Sequence, residues 1–217
     1  MQRTLPILTV FVLLLAAAIG GYFFLFKATP SEDAPSLPAT SSSVAGNAAS
    51  EPSPVIGRFE PIEAQPSLAG VVISDSQGDV DLGRYKGKAL LLNIWATWCA
   101  PCVAEMPSLD RLQAKLGSDR FAVVTVAVDE PNMGAVEDFM KKYQLQNLPV
   151  LLDVNHAIDH QVRIQSLPTS LLVTPEGKVV ARFTGDNKWN CGKPLAALDD
   201  FAKDGTVPTN ILDPCAE

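Results

Sequence analysis

The sequence predicts a mixed α/β domain, a central sheet with helices on both faces. Three observations carry this. Apolar runs of strand length alternate with stretches of helical periodicity, one run is continuous enough to be covered on both sides, and a strand–turn–strand unit precedes the last helix. The first strand pair is Val71–Ile73 and Val80–Leu82, separated by Asp75-Ser76-Gln77-Gly78-Asp79. Ala89–Ala96 reads as the central strand. From Ala100 to Leu116, apolar residues at 103, 106, 109, 112 and 116 keep a helical stripe, with Pro107 inside it as an expected kink. Phe121–Val128 is a second buried strand, and Val136, Phe139, Met140 and Tyr143 share one helix face. A short strand follows at Leu148–Leu152 and a short helix at Ala157–Ile164. Ser170–Val173 and Lys178–Phe183 flank Pro175-Glu176-Gly177 as a hairpin, and Pro194–Ala202 is the closing helix.

The 217 residues divide by composition into three parts. Pro6 to Phe26 carries no charge and is long enough to span a bilayer as a helix, which takes roughly 20 residues. Residues 1–27 are therefore expected to be a membrane anchor, with a signal peptide cleaved after Ala16-Ala17-Ala18 as the alternative. Residues 28–66 are rich in Pro, Ser and Ala and without period; they are expected to be a flexible tether with a reach of roughly 35 Å. Residues 67–217 remain for one core. The net charge of −7 offers no basic surface for nucleic acid.

The chemistry concentrates in Trp98-Cys99-Ala100-Pro101-Cys102, at a strand-to-helix junction. Unpaired N–H groups and the helix dipole favour an anion there, and the anionic form of cysteine is the one that attacks disulfides. Cys99 at the helix edge is expected to be the exposed nucleophile, and Cys102 the buried resolving thiol. No second Cys-x-x-Cys accompanies the pair, so a structural zinc site lacks ligands, and no cofactor is expected. With no histidine between the cysteines, the dithiol reductant is the expected active form. Glu105 lies on the same helix face as Cys102 and is a candidate to take its proton; Asn93, in the strand below, cannot titrate. Trp98 is expected to cover the docking surface and Trp95 to lie in the core. Cys191 and Cys215, if paired, would close a loop worth roughly 3–4 kcal/mol, as a structural disulfide or a second redox pair. His156 and His160 stand four apart in a segment expected to lie away from the dithiol, as exposed residues of a surface helix.

Leu91 to Pro107, with Leu148–Asp153 and Leu167-Pro168-Thr169-Ser170, resembles the TlpA/ResA-like branch of the thioredoxin-like thiol:disulfide oxidoreductases. The resemblance covers roughly residues 67–203. It implies a thioredoxin-like fold with an extra strand–helix insertion, supplied here around 149–164. It also implies Cys99 and Cys102 as the redox pair, Glu105 as the active-site glutamate and Pro168 as a cis-proline facing them. Substrate would then dock along Trp98, Leu167 and Thr169. The family's members are anchored in the bacterial inner membrane with the domain in the periplasm. They take electrons from a membrane thiol transporter and reduce oxidised client proteins, often in cytochrome c or copper-oxidase maturation. A disulfide oxidase or isomerase on the same fold, and a copper metallochaperone using both thiolates, are the alternatives.

Overall fold

A computed structural model describes residues 57–129 and 132–211. The expected anchor, most of the expected tether, and Cys215 lie outside these residues. Among the described residues no helix is long and apolar enough to cross a membrane.

The sheet contains eight strands: β1 (Phe59–Pro61), β2 (Val72–Asp75), β3 (Gly78–Asp81), β4 (Ala89–Trp95), β5 (Phe121–Ala127), β6 (Leu151–Leu152), β7 (Thr169–Val173) and β8 (Val179–Thr184). Five helices accompany it: a 3-10 turn at Leu82–Tyr85, then α1 (Ala100–Leu116), α2 (Met133–Lys142), α3 (Ala157–Val162) and α4 (Gly192–Asp204), the α-helices carrying the numbers. The strand order is β1-β8-β7-β4-β5-β6-β2-β3. β4 runs parallel to β5 and antiparallel to β7, so the two longest strands share the centre.

The continuous apolar run of β4 is explained by its position. Side chains alternate faces along a strand. Leu91 and Trp95 pack into one layer with Met106, Leu109 and Leu112 of α1, Phe139 of α2 and Phe201 of α4. Leu90, Leu92 and Ile94 pack into the other with Leu82, and with Ile158 and Val162 of α3. Every β4 residue is buried, and the polar one, Asn93, shares the α1 face by parity.

Three expectations change. The stretch read as a tether contains β1, which pairs with β8 in register Phe59↔Phe183. Phe59 is buried against the Phe183 and Trp189 rings, at centroid distances of 5.4 and 6.2 Å, so the ordered chain starts before residue 67. Three residues with one aromatic carry too little periodicity to stand out from a Pro-rich neighbourhood. The strand read at 148–152 shrinks to Leu151–Leu152, because Pro149 offers no N–H to a ladder. Tyr143 caps α2 and is partly exposed rather than joining Val136, Phe139 and Met140 in the core. Pro107 lies inside α1, as its place in the Ala100–Leu116 stripe predicts.

Phe59→Ala removes the aromatic that holds β1 on the sheet. Urea unfolding is expected to show a loss of about 3 kcal/mol, the usual range for emptying a buried Phe site; no loss would mean that β1 contributes nothing to the core.

Candidate active site

The C-terminal end of β4 leads through Ala96-Thr97-Trp98 into α1. Asp129, just past β5, accepts from the Thr97 backbone N–H at 3.0 Å and from the Thr97 hydroxyl, fixing the approach to the helix. Cys99 is the N-cap of α1, and its Sγ accepts from the Cys102 backbone N–H at 3.3 Å. Cys99 and Cys102 are joined in a disulfide with Cα atoms 5.2 Å apart. A sulfur at this place receives the free N–H groups of the first helical turn, which stabilise a thiolate once the bond is reduced.

Exposure departs from the expected contrast between the two sulfurs. Cys102 is fully buried, but Cys99 is only 6 % exposed and is reached through a groove rather than standing free. The groove, about 600 Å³, is lined by Trp98, Cys99, Pro101, His156, Ile158 and Leu167 among others. Trp98, 71 % exposed, forms its outer wall.

Pro168 follows the cis peptide bond among the described residues, Leu167–Pro168, at the start of β7. Leu167 faces the groove, whereas Thr169, expected to dock substrate, is buried. Its hydroxyl donates to the Ser166 carbonyl at 2.7 Å, and its backbone pairs with Ile94 and Thr184.

Glu105 is 3 % exposed, within the layer between the sheet and α1. Oε1 accepts from Asn93 Nδ2 at 2.8 Å. Oε2 accepts from Trp189 Nε1 at 2.8 Å and from the Asn187 backbone N–H at 3.1 Å. Asn93 Nδ2 also reaches Ser170 Oγ of β7 at 3.0 Å, while its own Oδ1 is buried without a partner. Burial pushes the carboxyl up to about 7; the Trp189, Asn93 and Asn187 donors oppose that rise, and Asp186 adds to it. A group balanced near neutrality, one helical turn past Cys102, suits proton transfer.

The sequence alone singled out neither Trp189 nor Asn187. Trp189 stands in the aperiodic Gly185-Asp186-Asn187-Lys188, where nothing marks an indole as buried. The histidines correct another expectation: His156 lines the groove beside Cys99, because α3 packs across the even-numbered face of β4. Among the described residues, no group of three His, Cys, Asp or Glu side chains is placed to hold a metal. Cys191 precedes α4 as its N-cap and is disulfide-bonded; its expected partner, Cys215, lies outside the described residues.

Residues 63–200 match the Redoxin family. The ResA thiol-disulfide oxidoreductase of Bacillus subtilis (strain 168) is 39% identical over 115 residues, covering 52% of this chain and 63% of the relative. That of Bacillus thuringiensis subsp. konkukian (strain 97-27) is 34% identical over 128 residues, covering 58% and 73%. The chain thus spans roughly two thirds of the length of these curated relatives. The exposed lipoprotein thioredoxin of Streptococcus pneumoniae strain TIGR4 superposes with a TM-score of 0.51 at 27% identity, covering 61% of this chain and 97% of that one. With a Cys-x-x-Cys capping a helix at the end of a central strand, and relatives of this kind, the chain belongs to the redoxin family, in its ResA-like branch of thiol-disulfide oxidoreductases.

Proposed function

We propose that this protein reduces disulfides in client proteins through Cys99 and Cys102. The observation that carries the reading is the pairing of a helix-capping sulfur at a groove with a buried carboxyl balanced near neutrality. In the reduced protein, the Cys99 thiolate attacks one sulfur of a client disulfide, which leaves Cys99 in a mixed disulfide and releases the other client sulfur as a thiolate. Glu105 takes the Cys102 proton. The Cys102 thiolate then attacks Cys99 Sγ, the second client sulfur leaves and is protonated, and the Cys99–Cys102 disulfide closes. Two electrons pass to the client, with one proton from Cys102 by way of Glu105 and the other, for the first client thiolate, from solvent.

The dithiol is the working form in this reading, as the Ala100-Pro101 pair supports. The uncharged Pro6–Phe26 stretch supports a single-pass anchor in a bacterial inner membrane, with the domain in the periplasm. Electrons would come from a membrane thiol transporter, and clients would include proteins of cytochrome c or copper-oxidase maturation.

A Cys102→Ser chain cannot resolve the mixed disulfide. Expressed in full, it is expected to accumulate dithiothreitol-sensitive adducts through Cys99 that a further Cys99→Ser change abolishes. Adducts that persist without Cys99 would sink the reading. Stability gives an independent check on Glu105. Its native value of about 7 lies above the ordinary 4.5, so between these the native state keeps a proton that the unfolded chain has lost. Stability therefore falls as pH rises from about 4.5 to 7, and stays low above it. The loss assigned to this group is about 3 kcal/mol. Urea unfolding of the oxidised protein at pH 5 and pH 8 should show it, and Glu105→Gln should flatten the difference.

A further inference from the structure

The segment from Gly185 to Cys191 fastens itself along α1 by polar contacts. Ser108, one turn beyond Glu105, accepts from the Trp189 backbone N–H at 3.2 Å, and its hydroxyl lies 3.3 Å from the Asn187 carbonyl. Lys115 Nζ donates to the Asn190 carbonyl at 3.0 Å. At the far end Cys191 is disulfide-bonded. The indole of Trp189 is fully buried, with the Phe183 ring edge-on at 5.0 Å. A buried indole N–H needs an acceptor, and a backbone carbonyl would serve that need as well as any. Here it is directed instead at the buried carboxylate beside the redox pair, on the same oxygen that the Asn187 N–H already reaches.

We propose that Trp189 is a positioning residue for thiol exchange: the 185–191 segment clasps α1 so that the indole N–H holds the Glu105 carboxylate in the place from which it takes the Cys102 proton. The inference rests on the reading of Glu105 as proton acceptor. Hydrogen bonds to a carboxylate favour its charged form, so losing the indole leaves burial less opposed. The other groups facing Glu105 bear on the same balance. Asp186, from the clasp itself, is the charged neighbour and disfavours ionisation. Asn93 from β4 and Ser170 from β7 do not titrate, and on α1 Cys102 does not while it is in the disulfide.

Trp189→Phe keeps an aromatic between Phe59 and Phe183 and removes only the N–H. Ser108→Ala loosens the clasp without touching the carboxylate. The Glu105 carboxyl carbon, followed by 13C NMR titration in the oxidised full chain, gives the midpoint directly. Its expected rise in Trp189→Phe is roughly one pH unit, with a smaller rise in Ser108→Ala. Oxidation of the reduced chain by glutathione disulfide should then slow roughly fivefold at pH 7 and recover above about pH 8, as the ionised fraction dictates. An unmoved midpoint in both variants, or a loss of rate equal at every pH, assigns Trp189 to packing and overturns the proposal. Glu105→Gln separates the two ideas. If it leaves the pH profile of the rate unaltered, the acceptor reading fails, while the NMR midpoint still decides the clasp.

Discussion

A carboxyl group at position 105 occupies a largely apolar layer, and donors from two distant parts of the chain converge on it. Burying such a group without partners would cost several kcal/mol, so its presence constrains everything packed around it. Asn93 must be polar although it stands in the most buried strand of the sheet. The chain after β8 must turn back over α1 rather than run directly into α4, because Trp189 and Asn187 have to reach Oε2. β1 follows from the same demand: Phe59 packs against both Phe183 and the indole, and so supports the residue that supports the carboxylate.

This arrangement explains how one helix serves both halves of an exchange reaction. At its first turn the free N–H groups favour negative charge on Cys99, at low cost because the groove admits solvent and substrate. One turn further in, Cys102 is closed off from water, and its thiol would be a poor nucleophile without a local base. A carboxylate in bulk water would be too acidic to accept that proton usefully at neutral pH. Burial corrects this, and the donors limit the correction before Glu105 becomes permanently protonated. Two opposed effects leave a group near 7.

Much of this was legible in the sequence, for identifiable reasons. The Cys-x-x-Cys, its strand and its helix were marked by local signals: a continuous apolar run, a proline in the first turn and a 3.6-residue stripe. β7, β8 and their turn were marked by Pro175-Glu176-Gly177. The chain's long-range pairings were not. β1 is three residues long and gains its place by pairing with a strand far along the chain. Trp189 has no local pattern at all, and its role depends on a turn returning it to α1. His156 looked remote because sequence distance from Cys99 says nothing about α3 crossing the opposite sheet face to edge the groove. Thr169 departs in the other direction: it adjoins Pro168, but its side chain is buried and its hydroxyl is bonded to the Ser166 carbonyl, which no local pattern signals.

The groove meets the redox helix at its first turn and the clasp meets it further along, at Glu105, Ser108 and Lys115, and that separation has a consequence for specificity. In the proposed reaction, client side chains entering beside Cys99 meet Trp98, Leu167, Ile158 and His156, whereas the donors to Glu105 are Asn93, Asn187 and Trp189. The apolar walls and the exposed indole can therefore change to suit a different client without disturbing the proton acceptor. Under the proposed clasp, substitutions in 185–191 would alter the proton balance without altering what fits the groove. In the proposed reaction, client choice and proton transfer thus rest on different residues along one helix, joined through the Cys99–Cys102 pair.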